Sequence, residues 1–362
     1  VSQYQTSSVV DVSSIVNYVT IIGRVYPASS EDYMRLVRLA WDFRRAVHVA
    51  TRMIARGLEE NSVLKELRRV LNKAYADSAY KTAKAMVDGC VFNGGNPLHI
   101  EVKKLFIISE GESSRLGNRN VRLEDTCLVK VKYLYDNSWI TLQVEFGEKY
   151  LPLLRELVDL AKQKKVSYAA RMVFREGNIY LHLSIPTQLY LKYFKKGGGK
   201  GRFIAGFDLN SDRVNLVIVD KYGRIVDART AWFPGATSHG FPREKAKMLR
   251  LSALARLLEY CYRHGVSVVV FENLLSVKRK RFTRSKKANR KITRFAKKQL
   301  IQHGVVMALK YGFRVLLVDP KGTTNSRKHC ELMKRYGLDR HTTSAYLIAL
   351  KGSNTNEYEC HK

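Results

Sequence analysis

The sequence has 362 residues, more than one domain usually holds, and 45% of them are hydrophobic, enough for real cores. It carries 64 Lys and Arg against 32 Asp and Glu, a net charge of +32. Such an excess repels itself in a compact chain unless a polyanion neutralises it, so nucleic acid is the expected partner, with a merely basic surface as the alternative. No long apolar stretch and no amphipathic anchor stand out, which argues against a membrane.

In chain order, residues 1–18 are polar and Ser-rich and read as a flexible tail. Residues 19–26 (VTIIGRVY) read as a strand stopped by Pro27. Ser29 and Asp32 stand at capping-box spacing before a helix, where Met34, Val37 and Trp41 recur with a helical period. Tyr26 and Trp41 are taken as core residues. Helical patterns run to about residue 88 and are broken by the Gly-Gly-Asn-Pro at 94–97. From 98 to 190 the character is β: a strand at 99–108, a hairpin of 128–135 with 139–146, a helix at 148–163, and a second hairpin of 169–174 with 179–185. The expectation is a β-barrel module, residues 19–29 and 98–190, with a helical lobe, residues 30–97, inserted after its first strand. Residues 191–202, with KKGGGKG, read as a flexible basic linker.

The second half, 203–362, opens with FIAGFDL, an apolar strand ending in Asp208. Strands at 215–219 and 224–229 follow, then a helix at 243–264. VSVVVF is a continuous apolar run, hence a buried strand, and delivers Glu272 at its end. A helix at 295–311, a strand at 313–318 and a short helix at 342–350 complete the order, which is that of an RNase H-like mixed sheet. Two carboxylates brought together at the ends of adjacent strands repel unless a cation compensates. Mg²⁺ does so with oxygen ligands, and such ions promote phosphodiester hydrolysis. A strand-end cap for Asp208 and a surface carboxylate for Glu272 are the alternatives.

These motifs resemble a known family. GFDLNSDRVNLVIVD is similar to the first RuvC motif of the TnpB (OrfB) proteins, relatives of type V CRISPR effectors, FENLLS to their second, and DRHTTSAYLIALKG to their third. KKQLIQHGVVMALKYGFRVLLVDPKGTT resembles the intervening helix and strand, and GRVYPASSEDYMRLVRLAWDFRRAVHVATRMI the family's opening segment. The resemblance spans about 19 to 351. It implies an RNA-guided DNA endonuclease tied to a mobile element, with guide RNA and double-stranded DNA as partners, a wedge-like barrel, a helical recognition lobe and a RuvC-like nuclease domain using Mg²⁺ or Mn²⁺. The implied catalytic set is Asp208, Glu272, Asp339 and His341, with Asp208, Glu272 and Asp339 toward metal.

The chain departs from this pattern twice. His341 stands where the family has its third carboxylate, and imidazole gives less charge to a Mg²⁺ site than an oxygen ligand. Asp339 either takes over at the metal or caps the final helix. The family's two CxxC pairs are missing: the five cysteines, Cys90, Cys127, Cys261, Cys330 and Cys360, form no such pair. No zinc is therefore expected, and residues 320–338 hold at most a reduced zinc module.

Residues 278–298 contain twelve Lys or Arg and no acid. Lys278, Arg279, Lys280, Arg281, Arg284, Lys286, Lys287, Arg290, Lys291 and Arg294 are read as tracking a nucleic-acid backbone, the alternative being a solvated basic segment. Arg35, Arg38, Arg44 and Arg45 on the first helix are read the same way, against an ordinary solvent face. Three functions stay open: an RNA-guided nuclease, a cleavage-deficient RNA-guided binder acting by occupancy, and a guide-free structure-specific nuclease. The amino-terminal residues lack a secretory pattern, so a cytoplasmic, nucleoid-associated protein is expected.

Overall fold

The structure is a computed structural model that describes residues 12, 16–274, 284–285 and 297–357. It divides into two compact units, one of residues 18–193 and one of residues 1–17 with 194–362.

The first unit is built on a curled, antiparallel seven-stranded sheet. Strand β1 (Tyr18–Tyr26) alternates inward Ile21 and Val25 with outward Ile22, Arg24 and Tyr26, the period-2 pattern of a half-buried strand. Helices α1 (Ser30–Ala55), α2 (Glu60–Leu67) and α3 (Lys73–Phe92) follow it, between the first strand and the rest of the sheet. Next come β2 (Phe106–Ser109), the short hairpin β3 (Gly111–Glu112) and β4 (Gly117–Asn118), then β5 (Val121–Leu123), β6 (Leu128–Lys132) and β7 (Trp139–Phe146). Helix α4 (Leu151–Lys162), strands β8 (Ala169–Arg175) and β9 (Asn178–Pro186) and helix α5 (Thr187–Phe194) complete this run. The order β2-β8-β9-β1-β7-β6-β5 leaves β2 and β5 as edges, so the expected barrel is an open sheet. The β8–β9 hairpin turns at Glu176 and Gly177, both at positive φ, as a two-residue turn that matches strand twist requires.

Helix α1 corrects one reading. Its N-cap Ser29 accepts from the Asp32 amide as the spacing predicts, but the stripe that enters the core is Leu36, Leu39, Ala40, Phe43, Ala46, Val47 and Ala50. Phe43 meets Tyr75 of α3 and Phe106 of β2 edge-on, which ties the lobe to the sheet. Met34, Val37 and Trp41 lie on another face, and Trp41 is 52% exposed rather than core; Tyr26 is exposed as well.

The second unit holds a five-stranded mixed sheet of β10 (Phe203–Leu209), β11 (Arg213–Val219), β12 (Ile225–Trp232), β13 (Val266–Glu272) and β14 (Arg314–Val318), in the order β12-β11-β10-β13-β14. β10, β11 and β12 are antiparallel neighbours, while β13 and β14 run parallel to β10. Both faces are covered, so the central strands are buried along most of their length and mainly apolar, with Asp208, Asn215 and Glu272 the buried polar exceptions. Helices α6 (Arg243–Arg263) and α7 (Lys297–Tyr311) pack on one face with Phe207, Phe271 and Leu317. Helix α9 (Arg340–Glu357) packs on the other with Ile204, Val217, Val268 and Val270. Helix α8 (Arg327–Tyr336), between β14 and α9, has no counterpart in the sequence reading. Residue 16 of the expected tail is buried in the α6–α7 core, with Val12 packed against it; residues 1–11 and 13–15 lie outside the described residues.

The glycine-rich segment after α5 is not a free tether. A Cβ on Gly198 would meet Tyr311 O at 2.3 Å, and one on Gly201 would meet Gly265 O at 1.7 Å; the Lys196 amide donates to Lys310 O. Glycine is used here for close backbone approach rather than flexibility.

The same device seats α9. A Cβ on Gly206 of β10 would lie 2.2 Å from Ala345 O and 2.4 Å from Ala349 N, and one on Gly352 would strike Val270. Small residues on both partners let the helix lie directly on the strand that carries Asp208. Gly206→Ala is therefore expected to cost about 3 kcal/mol, since helix backbone rather than a flexible side chain must give way. A urea unfolding curve with an unchanged midpoint would contradict this packing.

Candidate functional site

The sheet places Asp208 and Glu272 together. Phe207 and Phe271 are register partners on the adjacent parallel strands β10 and β13, and the two carboxylates follow one residue later. Side chains alternate along a strand, so both leave the face opposite the two phenylalanines, the face that α9 covers. They are 6% and 7% exposed.

Each carboxylate is held. Asn210 Nδ2 donates to Asp208 Oδ2 at 2.7 Å, and His341 Nδ1, from the first turn of α9, lies 3.0 Å from the same oxygen. The Thr323 hydroxyl donates to Glu272 Oε1 and lies 2.7 Å from Pro320 O. Burial, and then the negative charges of Asp208 and Asp319, push the Glu272 carboxyl up to about 7 against the opposing Thr323 bond and Lys351 charge. Lys351 of α9 donates to Asp319 O and Lys321 O, tying the helix to the loop after β14.

Asp339 lies at the start of α9. Its Oδ1 accepts from the amides of His341 at 2.9 Å and Thr342 at 3.2 Å, and its Oδ2 accepts from the Thr342 hydroxyl. Partial burial works to raise its carboxyl, but these bonds and His341 outweigh it and hold it below the ordinary range. Both oxygens are thus engaged in an N-cap, and it is His341 that reaches Asp208.

Helix α8 occupies the segment where at most a reduced zinc module was expected. Ser326 caps it, and Gly337 ends it in the left-handed conformation. The buried His329 faces Arg340 O at 2.9 Å and Ser344 Oγ at 3.3 Å, packing α8 onto α9 by hydrogen bonds. Among the described residues no group of three His, Cys, Asp or Glu side chains closes on one point.

Three features of the site escape the sequence reading. Thr323 is one, visible only as part of PKGTT. Asp319 is another, and the strand-end rule applied to β10 and β13 would have found it at the end of β14. The third is Trp232, at the end of β12. Asp208 pairs with Asn215, Asn215 with Thr230, and Arg213 with Trp232, so these side chains share a face and an end of the sheet. Trp232 is 57% exposed, with the Arg213 guanidinium 3.8 Å from its ring centroid.

Most of the basic segment, including Lys278, Arg279, Lys280, Arg281, Lys286, Lys287, Arg290, Lys291 and Arg294, lies outside the described residues; Arg284 is described and exposed. The arginines of α1 divide. Arg35 bonds Asp136 and Ser138 and lies over the Tyr133 ring, and Arg38 lies over Tyr135. Arg44 donates to Val102 O at 2.5 Å, and Arg45 is exposed. No described helix is long and apolar enough to cross a membrane.

These observations define a two-unit α/β protein with a carboxylate-centred site at the ends of the central strands of a mixed sheet. The chain belongs to the family of SSO2105 of Saccharolobus solfataricus: it is 45% identical to that protein, described as uncharacterized, over 344 residues, covering 92% of each chain. Residues 18–195 match the SSO2105 N-terminal domain family. An uncharacterized protein of Aeropyrum pernix is 28% identical over 351 residues, covering 88% of this chain and 92% of its own. Solved structures similar to it include T. thermophilus RuvC in complex with a Holliday junction substrate, at 19% identity and a TM-score of 0.31 over 43% of this chain and 96% of that one. A CRISPR-Cas12f ternary complex matches at 12% identity and a TM-score of 0.30, over 88% of this chain and 81% of that one.

Proposed function

We propose that this chain is a metal-dependent nuclease of the RNase H-like, RuvC type that works on DNA under RNA guidance, as the resemblance to TnpB proteins implies. The observation that carries the nuclease reading is the pair Asp208 and Glu272, buried side by side at the ends of adjacent parallel strands, with Glu272 pushed up to about 7. Two buried carboxylates form a costly arrangement that a divalent cation relieves, and their oxygens suit Mg²⁺, which keeps water and substrate oxygens for its other positions. Held by Asp208 and Glu272, such an ion would supply an activated water and neutralise charge at a phosphodiester. Asn210 and His341 orient Asp208, and Thr323 orients Glu272. Trp232, with Arg213 against it, offers a face on which a base of the bound strand stacks. Trp232→Ala is expected to weaken strand binding about tenfold with a smaller effect on the cleavage step; an unchanged KM would remove this role.

RNA guidance accounts for a charge of +32 alongside an amino-terminal unit of curled sheet and inserted helices. It is tested by expressing the protein with its native flanking DNA and sequencing the RNA that copurifies. A discrete RNA with a fixed scaffold and a variable end supports the guided reading; heterogeneous RNA or none leaves a guide-free nuclease. A second reading, target binding without cleavage, is favoured by one observation: the third position beside Asp208 is an imidazole, while Asp339 spends both oxygens on a helix cap.

A further inference from the structure

The first unit contains a cleft of about 600 Å³, within the range of small-ligand sites, between α1 and the segment around Val102. Trp41, Arg45, His48 and Arg52 follow one another at helical spacing along one face of α1, with Arg44 beside them, and Lys103 stands across the cleft. Two of the cations shape it. Arg44 donates to Val102 O at 2.5 Å and lies 4.9 Å from the Trp41 ring centroid, while Arg52 donates to Leu98 O. Arg45 and His48 make no hydrogen bond or ion pair with a described residue, and Lys103 pairs with its exposed neighbour Glu101 at 3.1 Å.

A half-exposed indole flanked by cations in a concave site asks for a ligand with both a flat π-face and negative charge. An apolar peptide leaves the cations unused, and a bare anion leaves the indole unused. A base within a duplex is stacked on both faces and does not present one to a side chain, whereas an unpaired base does. We infer that this cleft holds one unstacked nucleotide of a single strand, its base on Trp41 and its phosphates among Arg45, His48 and Lys103. The inference rests on the reading of the chain as a nucleic-acid-binding protein, but not on cleavage.

The test uses the full chain, freed of copurifying nucleic acid and kept in EDTA, with fluorescence anisotropy on short single-stranded RNA, single-stranded DNA and duplex DNA. Trp41→Ala is expected to weaken single-strand binding about tenfold and Trp41→Phe to keep most of it, with duplex binding little changed. Arg45→Ala is expected to lower the slope of log affinity against log salt by about one. Whichever of RNA or DNA shows the Trp41 effect identifies the strand. Single-strand binding that is unchanged in Trp41→Ala, or a loss equal on duplex, would overturn the cleft while leaving the nuclease reading standing. A parent protein that binds none of the three probes would overturn both.

Discussion

Replacing Asp208 or Glu272 with alanine is expected to lower strand cleavage by on the order of a thousandfold or more, while nucleic-acid binding changes little. The two side chains occupy one row and one face of adjacent strands, so neither has a substitute in place. Asp319 lies at the end of the next strand with Oδ1 accepting the Lys321 amide, and Asp339 is held in its cap. Asp339→Ala is accordingly expected to behave as the loss of an N-cap, costing about 1 kcal/mol of stability rather than activity outright. His341 is the informative position. If its imidazole only orients Asp208, His341→Ala lowers cleavage and His341→Asp restores or exceeds the parent rate, because a third carboxylate then faces the cation. If the parent is a binder, cleavage is seen only in His341→Asp. Cleavage of an end-labelled target in Mg²⁺ and in Mn²⁺ separates these results. Cleavage that survives both Asp208→Ala and Glu272→Ala would show that the chemistry lies elsewhere.

The residues that were legible in the sequence are those whose placement follows from a local pattern. FIAGFDL and VSVVVFE are apolar because both faces of their strands are covered, and a carboxylate ending such a run is conspicuous. The Glu176-Gly177 turn and the Ser29 cap are equally local. What failed depended on partners remote in sequence. Trp41 keeps helical spacing with Met34 and Val37, but α3 and β2 claim the neighbouring stripe through Phe43, and periodicity alone does not say which of two stripes faces the core. Helix α8 was missed because RKHCELMKRY is mostly polar and its apolar side is short; it is seated by the buried His329 together with Leu332 and an edge-on contact of Tyr336 with Tyr346. The KKGGGKG segment has the composition of a tether, and only the approach of Tyr311 and Gly265 shows why its glycines are needed. That His341 rather than Asp339 reaches Asp208 turned on which side chain the first turn of α9 aims at β10. Gly206, Ala345 and Ala349 set that by fixing how closely the helix lies.

Glu272→Gln is expected to raise the stability of the metal-free protein near neutral and alkaline pH while removing its cleavage. The Glu272 carboxyl titrates at about 7 in the folded chain against an ordinary 4.5, so the folded state binds this proton more tightly than the unfolded one. A raised value of this kind contributes stability that is fully present below about pH 4.5 and is lost as pH rises through about 7. Above that window the folded protein must hold a buried charge beside Asp208, a penalty of about 3 kcal/mol. A glutamine keeps the shape and still accepts the Thr323 hydroxyl, but carries no charge at any pH. Thermal melts in EDTA should therefore show the parent less stable at about pH 8 than at about pH 5, with most of that difference gone in the variant. Mg²⁺ should then stabilise the parent at alkaline pH and leave the variant nearly unmoved, because a ligand that binds only the native state adds stability in proportion to its affinity. Such a trade, in which the protein gives up stability to keep two carboxylates together, is what a site selected for chemistry rather than packing requires. Parallel pH profiles for parent and variant would mean that Glu272 is protonated or solvated at no cost, and the charge argument for a cation between it and Asp208 would fall.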